Sequence, residues 1–131
     1  MANPDRLLDN AVDSHLPAVK VDPFWAATWR AAQGLDRYLN RVQCSGLRVL
    51  ELGCGSGQAG VGAAARGAQV LLTDAVPLAL QVARLNAWPV ICNCRFTLLR
   101  WGEDRLNEPP FPLIIGSDLV YDPAHFPQLE L

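Results

Sequence analysis

The stretch VLELGCGSGQAG, residues 49–60, read together with QVLLTD, residues 69–74, decides the fold. An apolar run with the pattern of a buried strand ends around the acid Glu51. It then turns through the alternate glycines Gly53, Gly55 and Gly57 into helix-forming sequence. A second apolar run closes on Asp74. Turns without side chains let a ligand approach the backbone closely, and a helix N-terminus offers N–H groups that no helical carbonyl takes. A carboxylate at the tip of the neighbouring strand suits the vicinal hydroxyls of a ribose. The pattern implies a nucleoside cofactor.

The spacing G-x-G-x-x-G is also present, at Gly55, Gly57 and Gly60, so a dinucleotide site has to be weighed. Charge separates the two readings. A pyrophosphate is anionic, and Glu51, just before the glycines, opposes it, while the first basic residue after the turn is Arg66. S-adenosylmethionine carries a sulfonium and an ammonium, which Glu51 attracts. The methyl donor is therefore favoured, and an NAD-binding Rossmann unit stands as the alternative. A plainer reading also exists, in which the glycines only make a tight strand-to-helix turn and Asp74 caps the next helix.

Bulk properties narrow the field. At 131 residues the chain is a single domain, and with 50% hydrophobic residues it can bury a core. A net charge of −2 argues against a dedicated nucleic-acid binder, which would show a basic face. Residues 1–22 read as an acidic, irregular lead-in without a basic-then-apolar signal sequence, and no apolar run has the length of a membrane span. The expected compartment is the cytoplasm. Cys44, Cys54, Cys92 and Cys94 fit no zinc template and read as reduced thiols, and no metal site is expected.

Along the chain, Trp25, Trp29, Ala32, Leu35, Leu39 and Val42 recur at helical spacing, which predicts a helix from Phe24 to about Val42 with Pro23 as its start signal. Strands are expected at 47–52, 69–73, 94–99 and 112–117, and helices at 58–66 and 76–87, the latter with Pro77 in its first turn. The Pro-rich piece 107–112 reads as a rigid loop. This alternation, with nearly continuous apolar strands, indicates an α/β, Rossmann-like, doubly wound parallel sheet. Right-handed crossovers place the binding turns at the carboxyl ends of its strands.

Four stretches, FWAATWRAAQGLDRYL (24–39), VLELGCGSG (49–57), LLRWGED (98–104) and IIGSDLVYD (114–122), make the chain resemble the class I, seven-β-strand methyltransferases. Within them it is similar to the lysine methyltransferase-like group and its electron-transfer-flavoprotein β-subunit branch. The resemblance covers the chain from Pro23 onward. It implies that Glu51, Gly53, Gly55 and Gly57 line the methionine end of S-adenosylmethionine. It also implies that Asp74 holds the ribose hydroxyls, Trp101 lies beside the adenine and Trp29 stands near the cofactor. Asp118 and Tyr121 match the family's D-x-x-Y signature at the mouth of the fourth strand, where the acceptor amine enters. Each residue has a duller role available: Trp25 and Trp29 in a core, Trp101 over a sheet edge, Asp118 capping a helix, Tyr121 as packing. Glu103, Asp104, His15 and His125 read as surface residues.

The implied activity is methylation of a protein lysine. Nucleic acid is disfavoured as acceptor because D-L-V-Y differs from the N-P-P-Y type that reads a flipped base. A small-molecule amine stays open. A non-catalytic methyltransferase-like protein that binds cofactor or a partner is the alternative. Arg30 stands where the family commonly has proline, and Arg100 where an acid or amide is frequent. The family's strand order, 3-2-1-4-5-7-6, is expected here only as 3-2-1-4, without the last three strands. Residues 23–131 are then the cofactor-binding part of a C-terminally shortened domain. In that case the fourth strand becomes an apolar edge open to self-association.

Overall fold

The computed structural model describes residues 23–27 and 29–129; the expected lead-in over 1–22 lies outside them. Strands β1 (Arg48–Leu52), β2 (Gln69–Asp74), β3 (Cys94–Leu98) and β4 (Leu113–Gly116) form one parallel sheet in the order β3-β2-β1-β4. Leu50 stands opposite Leu71 on one side and Ile114 on the other, and Asp74 opposite Leu98. The two central strands are buried over nearly their whole length, which is why their sequences are continuously apolar. β4 stands at one end of the described sheet, with Ile115 buried and Ile114 56% exposed.

Helices α1 (Arg30–Leu39), α2 (Gln58–Ala65) and α3 (Pro77–Asn86) cover the face that carries Val49, Val70, Leu72 and Ile115. Ala59, Ala63 and Ala64 of α2 are buried, and their small side chains let this helix lie close on the strands. The alternation of a strand sends Arg48, Leu50, Leu71 and Arg95 to the opposite face. There the Pro-rich loop is pinned: Glu108 pairs with Arg48 at 2.9 Å and with Arg95 at 2.6 Å. Arg48 also lies over the Phe111 ring at 4.5 Å.

One expected element differs. In place of a single helix from Phe24, the chain makes a 3-10 turn over Pro23–Ala26. It is extended at Trp29 (φ −75°, ψ 145°) and enters α1 only at Arg30. The physical reason is tertiary. The Trp25 main chain packs against Gly55 and Ala26 is buried, so this segment follows the glycine turn and not the helix axis.

Candidate functional site

The turn after β1 needs its glycines. Gly53, Gly55 and Gly57 take φ of 58°, 51° and 82°, the left-handed region that residues with a Cβ avoid. Space adds a second constraint at two of them. A Cβ on Gly55 would lie 2.8 Å from the Trp25 carbonyl oxygen, and one on Gly53 would lie 2.6 Å from Leu119 Cδ2. The Trp101 ring is 4.0 Å from that second point. Three segments distant in sequence therefore converge on the bare turn.

Two buried carboxylates hold it from below. Asp74 Oδ2 accepts from the Gly55 N–H at 2.8 Å, and its Oδ1 accepts from the Val76 N–H at 2.9 Å. Each oxygen keeps a lone pair for a further donor. Glu51 is 3% exposed, and its Oε2 accepts from the Gly60 N–H at 3.0 Å, so one of the N–H groups at the start of α2 is used internally. Thr73 Oγ1 donates to the Glu51 carbonyl at 2.7 Å and ties the two strand ends together. Burial pushes the Glu51 carboxyl up to about 8; the Gly60 N–H opposes this and the charge of Asp74 adds to it. Burial also raises Asp74, partly offset by the N–H groups of Val76, Gly55 and Ala75. Cys54, between them, is raised by burial and by both acids, which keeps it a protonated, unreactive thiol. The turn carries no basic residue before Arg66, and a cation placed beside it would favour the ionised form of Glu51.

The other side of the site is open. Asp118 has φ 54°, the single positive-φ residue other than glycine among the described residues. It is exposed, and Tyr121 is 74% exposed. The cap of the following 3-10 turn falls to Asp122, whose Oδ1 accepts from the Ala124 N–H at 2.9 Å. Leu119 turns inward against Gly53 and Gly116 and draws the loop over the glycine turn. Trp101 sits on a turn held by Asp104, which accepts from the Arg100 N–H at 2.8 Å and from its Nε at 2.9 Å. His125 meets Trp101 edge-on, with ring centroids 5.9 Å apart.

The structure thus gathers Gly53, Gly55, Asp74 and Trp101 around one turn, with Glu51 beneath it. It leaves Asp118 and Tyr121 on the solvent side, and Trp29 at the N-cap of α1, 42% exposed. Sequence reasoning missed Trp25 and Leu119 as walls of the turn, and Asp104 as the anchor of Trp101. The last had a signal, the i,i+4 spacing of Arg100 and Asp104. The first two depend on which glycines lie opposite them.

Residues 22–131 match the profile of the lysine methyltransferase family. The chain is 38% identical over 113 residues to protein N-lysine methyltransferase METTL21A of Danio rerio, covering 79% of the chain and 51% of that protein. It is 38% identical over 106 residues to the electron transfer flavoprotein beta subunit lysine methyltransferase of Xenopus laevis, covering 77% of the chain and 42% of that protein. Histone-arginine methyltransferase METTL23 of Xenopus laevis is 34% identical over 124 residues, with 88% and 53% covered. The chain spans about half the length of the curated relatives it matches.

Among solved structures, the fold resembles magnesium protoporphyrin IX methyltransferase of Synechocystis PCC 6803. The TM-score is 0.59 at 21% identity, with 88% of this chain and 52% of that chain covered. A TehB-like SAM-dependent methyltransferase of Corynebacterium glutamicum gives 0.58 at 22%, with 88% and 56% covered. These two likenesses carry the fold alone. With residues 22–131 matching one family profile, and the strand order and glycine turn that its sequence resemblance implies, the chain belongs to the lysine methyltransferase family.

Proposed function

We propose that the glycine turn binds S-adenosylmethionine and that the chain serves methylation of a protein lysine. The observation that carries the reading is the pairing of Asp74 with Gly55: a buried carboxylate positioned by backbone amides beside a turn that tolerates no Cβ. The residues fit the group. Asp74 keeps acceptor capacity for a ribose diol, Trp101 offers an aromatic face for adenine, and Glu51 favours positive charge nearby. A pyrophosphate would find the Asp74 carboxylate and no basic side chain on the turn before Arg66, which disfavours NAD.

When bound, the cofactor supplies a methyl group on a cationic sulfur, open to in-line attack. Catalysis then rests on positioning and electrostatics. Asp118 and Tyr121 face the side from which an amine arrives; Asp118 orients the amine and receives its proton, and Tyr121 walls its path. Trp29 lies near the cofactor at the start of α1. No helix among the described residues is long and apolar enough to cross a membrane. The four cysteines are free, which suits the reducing cytosol.

Calorimetry of the chain with S-adenosylmethionine and with NAD tests the site: binding of the methyl donor is expected, and binding of NAD alone would sink the reading. Incubation with labelled donor and cell protein, followed by acid hydrolysis, tests the acceptor. Labelled methyllysine is expected. Methylarginine would move the reading toward the activity named for the METTL23 relative.

A further inference from the structure

Among the described residues, two buried side-chain polar atoms have no hydrogen-bond partner: Nε1 of Trp25 and Oε1 of Gln58. Both residues adjoin the glycine turn. The Trp25 carbonyl oxygen and Cα lie 2.8 and 3.9 Å from the point that a Cβ on Gly55 would occupy. Gln58 is the first residue of α2, directly after Gly57. Buried polar atoms are nearly always bonded, and an orphan is costly, so an orphan beside a binding turn calls for a ligand. Here the two residues that carry such atoms both adjoin the same turn.

They are opposite in kind. An indole N–H only donates, and an amide oxygen only accepts. The proposed donor has a tail with both needs, a carboxylate that accepts and an ammonium that donates. We propose that Trp25 and Gln58 receive this zwitterionic tail, the indole N–H on the carboxylate and the amide oxygen on the ammonium. The inference rests on the donor site proposed above.

The electrostatics of the turn agree. Glu51 and Asp74 favour the cationic parts of the ligand but oppose its carboxylate. A neutral indole donor meets that carboxylate without placing a positive charge beside the sulfonium. It also gives a reason for the break before α1. The 3-10 turn and the extended Trp29 bring Trp25 onto Gly55, where a helix continuous from Phe24 would have kept it on the α1 axis.

The test uses the 131-residue chain and compares S-adenosylmethionine with methylthioadenosine, which has the same adenosyl sulfur and no tail. Trp25→Phe and Gln58→Leu should each weaken S-adenosylmethionine about tenfold and leave methylthioadenosine within about twofold. Both variants, free of ligand, should melt no lower than the parent, because each loses an orphaned group. Equal weakening of both ligands, or unchanged affinity for the full donor, overturns the inference. A ligand-side measurement stands even if a variant fails to fold. Decarboxylated S-adenosylmethionine should bind the unaltered chain about tenfold more weakly than the full donor, and equal binding overturns the carboxylate contact. If the unaltered chain binds neither nucleoside, the donor site itself fails, which is visible before any variant is made.

Discussion

Where β1 and β2 end, Glu51 and Asp74 are 3% and 8% exposed, and their carboxylates grip the backbone of the turn. Where β4 ends, Asp118 faces solvent in a left-handed conformation and Tyr121 is 74% exposed. One region is fixed by buried hydrogen bonds, the other presents its side chains outward. A rigid first region favours binding, because its groups need no reorganisation when the ligand arrives. The contrast implies that donor binding and methyl transfer separate: changes at the turn should remove both, and changes after β4 only the second.

The largest expected effect is at the point where three segments meet. Gly55→Val would need a Cβ 2.8 Å from the Trp25 carbonyl at φ 51°, and backbone cannot yield as a side-chain tip does. A loss of about 3 kcal/mol or more in unfolding free energy is expected, together with loss of donor binding. Gly34→Ala is the matching control, since nothing lies within 4 Å of the added atom. It should stabilise α1 by about 0.5–1 kcal/mol. Chemical denaturation of the two variants reads both effects, and equal stability would mean that the turn is not close-packed.

Asp74→Asn keeps the shape but removes the charge that the Gly55 and Val76 amides share, and it turns an NH2 toward one of them. About 2 kcal/mol of stability and roughly 100-fold in donor affinity should go. If affinity survives, the ribose does not sit at Asp74.

Glu51 supplies a test by pH. Its folded value of about 8 lies above its ordinary 4.5, so between them the native state holds a proton that the unfolded chain has released. Stability must fall as pH rises through that window and level off above it, with Asp74 shifted in the same direction. A bound cation favours the ionised form, so donor affinity should rise with pH up to about 8, with proton release on binding. Glu51→Gln should flatten both profiles. Melting curves and calorimetry in buffers of different ionisation enthalpy measure this, and a parent as flat as the variant would contradict it.

The same contrast explains what the sequence could disclose. The sheet order and the turn were legible because β1 and β2 are buried along their length and the glycines are forced by φ. The break before α1 was not. Trp25 and Trp29, four apart, imitate one helix face, and what separates them is a contact between Trp25 and Gly55, far along the chain. Leu119 was in view within DLVY, but its place depends on two bare positions, Gly53 and Gly116, in different strands' ends. Asp104 looked like a solvated charge by its type, and only its spacing from Arg100 marked it as an anchor.

The smallest effect is the sharpest test of the open region. Asp118 holds a φ of 54°, a conformation that costs an L-residue about 1 kcal/mol or more and glycine little. Glycine also gains freedom in the unfolded chain, so Asp118→Gly should stabilise by only about 0.5 kcal/mol. Donor affinity should stay as it was, because Leu119 and not Asp118 packs on Gly53 of the turn, while Asp118 is exposed. Methyl transfer should fall. A gain in stability with a loss of transfer means that the loop keeps a strained residue for its side chain, at the place where the amine arrives. A lower melting temperature would instead make Asp118 a structural tie of the loop, and the distinction between a built donor side and an open acceptor side would no longer hold.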